Sequence, residues 1–270
     1  MKKMKVGIIG CGTIGTEIAL ACRGRLSKKI ELIAVCDSDE KKALSLNRKL
    51  KKRVKLLKLD ELIKLSDLVV EAASAAMSGD VLKKCVRAKK DCMVMSVGGL
   101  LGREELLKTA GRRGVKIYIP SGALCGIDGL KSSAVGKIDS VTLTTRKPPK
   151  GLAGAPYLKE KGIDVSNIKE ETIVFEGSAE EAVKGFPQNV NVAAVLSLAG
   201  IGARKTRVRI VTSLDYTANI HEVEIKGEAG CIVTKAQNVP SKPNPKTSAL
   251  AIFSAIATLE GITKNVRIGT

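Results

Sequence analysis

Gly10, Gly12 and Gly15 follow the apolar run Val6-Gly7-Ile8-Ile9 at Gly-x-Gly-x-x-Gly spacing. Asp37 closes the next apolar run, Leu32-Ile33-Ala34-Val35-Cys36, 22 residues beyond Gly15. Gly10 permits a tight strand-to-helix turn, Gly12 offers no Cβ to an approaching pyrophosphate, and Gly15 lets the helix pack close to the sheet. The anion then rests on the N–H groups at the helix start, where Thr13 and Ile14 lie. A glycine-rich turn without a ligand has the same composition, but a second strand ending in an acid at this offset belongs to the dinucleotide-binding pattern. Asp37 can accept hydrogen bonds from a ribose 2′-hydroxyl and repels a 2′-phosphate, which favours NAD. Ser38, Lys41 and Lys42 lie close enough to soften that repulsion, so NADP stays open.

A nicotinamide carries the hydride itself and leaves the protein to hold the substrate and manage protons. His221 is the only histidine of the chain, and strand alternation puts it on the face of Val223 and Ile225, away from Glu222 and Glu224. Such a histidine is ordinarily a core residue, although its pKa range suits proton transfer, and the residues alone leave both roles open. Lys131 could meet a substrate carboxylate or face solvent on a helix. Lys246-Thr247-Ser248, at the expected start of the last helix, could bind an anion or merely cap. Asn189 offers an amide near another helix start.

These groups need a frame. From Lys5 to Pro120 short apolar runs alternate with longer amphipathic ones, the pattern of a parallel sheet with crossover helices. Ligands of such sheets gather beyond the carboxyl ends of strands, so Glu71-Ala72-Ala73-Ser74 and Ser96-Val97-Gly98-Gly99 should lie beside the cofactor, with Ala73 and Ser74 as contacts. After Pro120 the runs Val141 to Lys147, Thr172 to Glu176, Thr206 to Thr212, Asn219 to Lys226 and Cys231 to Ala236 alternate with period two. Ser178 and Glu181 form a capping box for one helix, Asn191 to Leu198 forms a second, and Asn244-Pro245 reads as the N-cap and first residue of the last. The expected fold is α/β: a Rossmann-type parallel-sheet domain over 1–120, then an α+β substrate domain with a mostly antiparallel sheet over 121–244. The C-terminal helix, 245–270, is expected to return to the first domain.

Composition narrows the function classes. A chain of 270 residues with 44% hydrophobic content can bury two cores. It has no apolar run near the ~20 residues of a membrane span. Seven scattered cysteines without a Cys-x-x-Cys pair read as reduced thiols of a cytoplasmic protein, with no metal site. The net charge of +19 includes nine Lys or Arg between Lys41 and Lys58. Leucines interleave them as on a solvated helix face, and aromatics are only 2% of the chain, so base-stacking platforms are scarce. A small anionic substrate drawn by a positive field fits better than nucleic acid.

Residues 7 to 15, Ser121-Gly122-Ala123 through Gly126-Ile127-Asp128-Gly129, Thr144-Thr145-Arg146-Lys147, Phe186 through Ala194, Asn219-Ile220-His221-Glu222 and Asn244-Pro245-Lys246-Thr247-Ser248, in this order, resemble the L-aspartate dehydrogenase family along the whole chain. The resemblance implies NAD- or NADP-dependent oxidative deamination of L-aspartate through iminoaspartate to oxaloacetate and ammonia, with the imine available to NAD biosynthesis. It places the catalytic histidine at His221 and cofactor contacts at Ala123 and Asn189. The chain departs from the family at Ala75-Ala76, where a glutamine is frequent, and at Gly98-Gly99-Leu100. Homoserine dehydrogenase and dihydrodipicolinate reductase share the two-domain plan, and a dinucleotide-sensing regulator without turnover is the non-enzymatic alternative. An antiparallel sheet with few covering helices leaves a face for a second copy, so a homodimer is expected.

Overall fold

The computed structural model describes residues 2–168, 170–187 and 191–270. They divide into two compact units, Met1–Pro120 with Ile252–Val266, and Ser121–Ala251 with Arg267–Thr270.

The first unit runs β1 (Met4–Ile9), α1 (Thr13–Arg23), β2 (Ile30–Cys36), α2 (Glu40–Lys49), β3 (Lys55–Leu56), α3 (Leu59–Leu65), β4 (Leu68–Glu71), α4 (Ala75–Arg87), β5 (Asp91–Val94), α5 (Glu104–Arg112) and β6 (Ile117–Tyr118). All six strands are parallel, in the order β3-β2-β1-β4-β5-β6. The chain leaves β1 toward one edge and returns at β4 to build the other, which sets the topological switch point between β1 and β4. β4 is buried throughout because helices cover both faces of such a sheet, hence its unbroken run Leu-Val-Val. The element missed from sequence is the pair β3 and α3. β3 is two exposed residues inside the basic stretch, too short for any periodicity to show.

The second unit runs α6 (Ile127–Ser133), β7 (Ile138–Lys147), α7 (Pro156–Glu160), β8 (Thr172–Ser178), α8 (Ala179–Gly185), α9 (Asn191–Ala199), β9 (Arg207–Thr212), β10 (Asn219–Gly227), β11 (Gly230–Asn238), β12 (Pro240–Ser241) and β13 (Asn244–Ser248), and leads into α10 (Ala249–Ile262). Its five-stranded sheet has the order β11-β10-β7-β9-β8, antiparallel except for the β7–β9 pair. Alternation sends Val141, Leu143, Val208, Ile210, Val223 and Ile225 to one face, where they join Ala182 of α8, Phe186 at its end, and Ala193 and Leu196 of α9. Tyr157, Phe175 and Phe186 close this core with ring centroids 5.1 to 5.5 Å apart. The capping box forms as expected: Glu181 N donates to Ser178 Oγ at 3.2 Å, and Ser178 N donates to Glu181 at 2.7 Å.

One expectation is corrected. Asn244-Pro245 does not open a helix: residues Asn244–Ser248 form β13, paired with β12 across the turn at Lys242-Pro243. Ser241 Oγ both donates to Asn244 O at 2.8 Å and accepts from Asn244 N at 3.3 Å. A proline suits an edge strand as well as a first helical turn, so the local signal was ambiguous and hairpin pairing decided it. α10 begins at Ala249 instead, capped by Ser248 Oγ, which accepts from Leu250 N at 3.2 Å. Its Ala255 and Leu259 are fully buried in the first unit's core. Among the described residues, no helix is long and apolar enough to cross a membrane.

Candidate active site

In the first unit the site is a glycine turn tied to an acid. Gly10 has φ +94°, which a side chain would strain, and a Cβ at Gly15 would collide with the Gly10 carbonyl. The position a Cβ would take at Gly12, the N-cap of α1, has no atom within 4 Å beyond Gly12 and its chain neighbours, so the turn is open there. Thr13, Ile14 and Gly15 form the first turn of α1, whose N–H groups point out of the helix end. Asp37 is held from both sides: Oδ2 accepts from Cys11 N at 2.7 Å and Oδ1 from Asp39 N at 2.8 Å. The acid is thus fixed to the turn, with further lone pairs on its oxygens. Burial, then the Asp37 charge, pushes the Cys11 thiol up to about 12, so it stays protonated and inert. An open, anion-ready turn beside an oriented carboxylate fits a dinucleotide.

Glu71 braces the neighbouring loops. It ends β4 with no exposed surface, and its carboxylate accepts from Ala73 N at 2.8 Å and Ser96 N at 3.0 Å. Burial raises its pKa, opposed by these hydrogen bonds. One side chain therefore sets the turns after both β4 and β5. Ala73 and Ser74 are exposed at the first of these, with Ser74 at the N-cap of α4 and no side-chain capping bond.

In the second unit His221 sits on β10 opposite Thr145 of β7, facing inward and only 5% exposed. Its Nδ1 lies 3.1 Å from Thr145 Oγ1. A hydroxyl can donate or accept, so this contact orients the ring whichever nitrogen carries the proton. Burial, reinforced by the charge of Lys147, holds the His221 pKa down at about 3. The imidazole is neutral across the physiological range. Ala123 is buried, and its carbonyl accepts from Asn238 Nδ2 at 3.1 Å. Asn238 Oδ1 in turn accepts from Ser248 Oγ at 2.6 Å, which ties the Ala123 loop to the start of α10.

The remaining expected residues divide. Asn189 lies outside the described residues. Lys131 is exposed on α6. Lys246, Thr247 and Ser248 are on β13, so the helix-start N–H groups expected there belong to α10 instead, and the side chain of Lys246 lies outside the described part of the structure. Three residues were not singled out from sequence. Thr145 and Lys147 share the inward face of β7 with Val141 and Leu143, and the alternation that exposed His221 would have exposed them. Glu71 carried a signal too, as an acid ending an apolar run.

A parallel sheet whose switch point holds a glycine turn and an acid-ended second strand, joined in one chain to a sheet bearing one buried imidazole, defines a dinucleotide-dependent oxidoreductase of two domains. Residues 10–120 match the family model described as homoserine dehydrogenase, NAD binding domain, and residues 128–262 match aspartate dehydrogenase, C-terminal. The chain is 50% identical to the L-aspartate dehydrogenase of Methanosarcina mazei, over 99% of its length and all of that protein. It is 47% identical to that of Methanococcoides burtonii, with the same coverage. The crystal structure of aspartate dehydrogenase from Thermotoga maritima superposes with a TM-score of 0.78 at 28% identity, covering 99% of this chain and 100% of that one. The chain belongs to the aspartate dehydrogenase family.

Proposed function

We propose that this protein oxidises L-aspartate to iminoaspartate and hydrolyses the imine to oxaloacetate and ammonia, with 1–120 as the dinucleotide domain and 121–244 as the substrate domain. The observation that carries the reading is His221: a buried, neutral imidazole, oriented by Thr145, in a chain of this family.

A bound nicotinamide would supply the hydride acceptor for the substrate Cα. The first turn of α1 and the open side of Gly12 would hold the pyrophosphate, and Asp37 would hold the adenosine ribose. His221 takes a proton from the α-ammonium, because only the neutral amine can release hydride and become the imine. After water adds to the imine carbon, His221 returns a proton to the departing nitrogen. The balance is L-aspartate, oxidised cofactor and water giving oxaloacetate, ammonium, reduced cofactor and one proton. Mixing the protein with NAD and L-aspartate at alkaline pH and following cofactor reduction tests the reading. Reduction with aspartate and not homoserine supports it; cofactor binding without turnover supports a sensing regulator. His221→Ala should lower kcat by about 10²–10⁴-fold and leave NAD affinity unchanged, and equal turnover by the variant removes His221 from the mechanism.

NAD is the proposed preferred cofactor, since the Asp37 carboxylate, fixed at the glycine turn, would accept hydrogen bonds from a ribose 2′-hydroxyl and repel a 2′-phosphate. Asp37→Ser should raise the ratio of kcat/KM for NADP over NAD, and an unchanged ratio would show that Asp37 does not read the ribose. The reading includes a cytoplasmic homodimer and a supply of iminoaspartate to pyridine nucleotide synthesis, the latter carried by the resemblance to the family.

A further inference from the structure

The loops on either side of α7 frame a cavity of about 540 Å³, all of whose lining residues belong to the second unit. Pro149, Leu158, Ile163, Val165 and Leu214 give it an apolar wall. Leu158 and Val165 are buried members of that unit's core, whereas Leu214, just beyond β9, is 62% exposed. Gly154 and Gly162 also line the cavity, with φ of +81° and +63°, and beyond their chain neighbours no atom comes within 4 Å of the place a Cβ would take at either. Such backbone favours glycine, so the turns that bend around the cavity put no side chain into it.

The charged groups along the cavity are Lys150, Lys159 and Asp164. Asp164 is committed to its own loop: Oδ1 accepts from Ser166 N at 2.9 Å and from Ser166 Oγ at 2.7 Å, and Oδ2 accepts from Asn167 Nδ2 at 2.8 Å. Glu160, the acid next to Lys159, pairs with Lys161 at 3.6 Å. Lys150 and Lys159 are both exposed, and among the described residues neither forms an ion pair. The cavity therefore joins an apolar wall to two cations whose charge is not offset locally.

We propose that this cavity binds a small amphipathic carboxylate, its aliphatic chain against Leu158, Ile163, Val165 and Leu214 and its head group between Lys150 and Lys159. Its size favours a small molecule, because ligand pockets run to about 300–1,000 Å³ and are concave, whereas a protein partner needs a broad patch of about 800 Å². The wall takes the chain out of water, and the lysines meet the charge where it stays hydrated. Neither His221 nor the glycine turn lines the cavity, so the proposal stands apart from the dehydrogenase reading.

Octanoate is the probe and 1-octanol its uncharged counterpart, each titrated calorimetrically into the whole protein at neutral pH. Octanoate should bind with a dissociation constant of about 1 mM or tighter, the worth of its buried methylenes. Bound octanoate should slow backbone hydrogen exchange over 149–166 and at Leu214 and leave the exchange of β10 unchanged. In the double variant Lys150→Gln, Lys159→Gln the affinity for octanoate relative to octanol should fall about 3–10-fold, as for two solvated ion pairs. Leu214→Asp puts a like charge into the wall at an exposed position, so Tm should hold while octanoate affinity falls about tenfold. No binding by the wild type, protection elsewhere in the chain, or an unchanged octanoate-to-octanol ratio in the double variant overturns the proposal. Octanoate binding that weakens as protein concentration rises would mean that a second copy covers the cavity, and overturns it likewise.

Discussion

Thr145 holds the ring of His221 through one hydrogen bond inside an apolar sheet face, and there a neutral contact counts for more than it would in water. It touches the proposed proton carrier and would act through it, as a positioning residue. Thr145→Val keeps the volume and removes the hydroxyl, so Nδ1 loses its partner. The expected result is a kcat lowered about 3–10-fold, the worth of one such bond, with KM for NAD unchanged and activity restored in Thr145→Ser. Wild-type kcat in Thr145→Val would mean that the ring is oriented by something else. His221 itself was legible as a candidate because strand alternation shows which way a side chain faces. Whether an inward histidine is a core residue or a proton carrier depends on what lies opposite. Thr145 and Lys147 reach it only through the β7–β10 register, 76 residues away in sequence for the Thr145 pair.

Elements carry the cofactor half. β1 and β2 end in the glycine turn and in Asp37, and the hydrogen bond from Cys11 N to Asp37 joins the two ends. Glu71 does the same for β4 and β5, because its two oxygens are divided between the loops that follow them. Glu71→Gln replaces one acceptor oxygen by an N–H₂ group facing a backbone N–H. It should cost about 2–3 kcal/mol, seen as a lowered Tm, and weaken NAD binding as both turns shift. Unchanged NAD affinity in a variant with lowered Tm would confine Glu71 to stability. The strands and helices flanking these turns were readable because long apolar and amphipathic runs report their own periodicity. The Asn244-Pro245 segment was misread because its residues suit a helix start and an edge strand equally, and the pairing with Pro240-Ser241 lies outside any local pattern.

At the scale of the molecule, the face of the second sheet opposite His221 carries exposed apolar residues. It shows Val233 at 59% and Ile173 at 55% exposure, interspersed with the Arg146–Glu222 pair at 3.2 Å and the Arg209–Glu176 pair at 3.0 Å. A surface carrying both signs of charge around apolar residues can complement itself across a two-fold axis. The proposed homodimer should therefore be seen by light scattering, and Val233→Lys should shift it to monomer. A wild-type monomer at all concentrations would remove the sheet face from consideration.

What the chain determined residue by residue was everything with a short-range signature: the glycine turn, Asp37 at the end of β2, the parallel and antiparallel halves, and the inward direction of His221. Steric demands and alternation act between neighbours, so they are written in consecutive residues. Tertiary structure alone decided which side chains share an environment. Glu71 reaches the loop after β5, Thr145 meets His221 while the Lys147 charge acts on it, and Asn238 locks Ala123 to Ser248. Burial and charge, which set the pKa values of these groups, belong to that shared environment and have no counterpart in linear order.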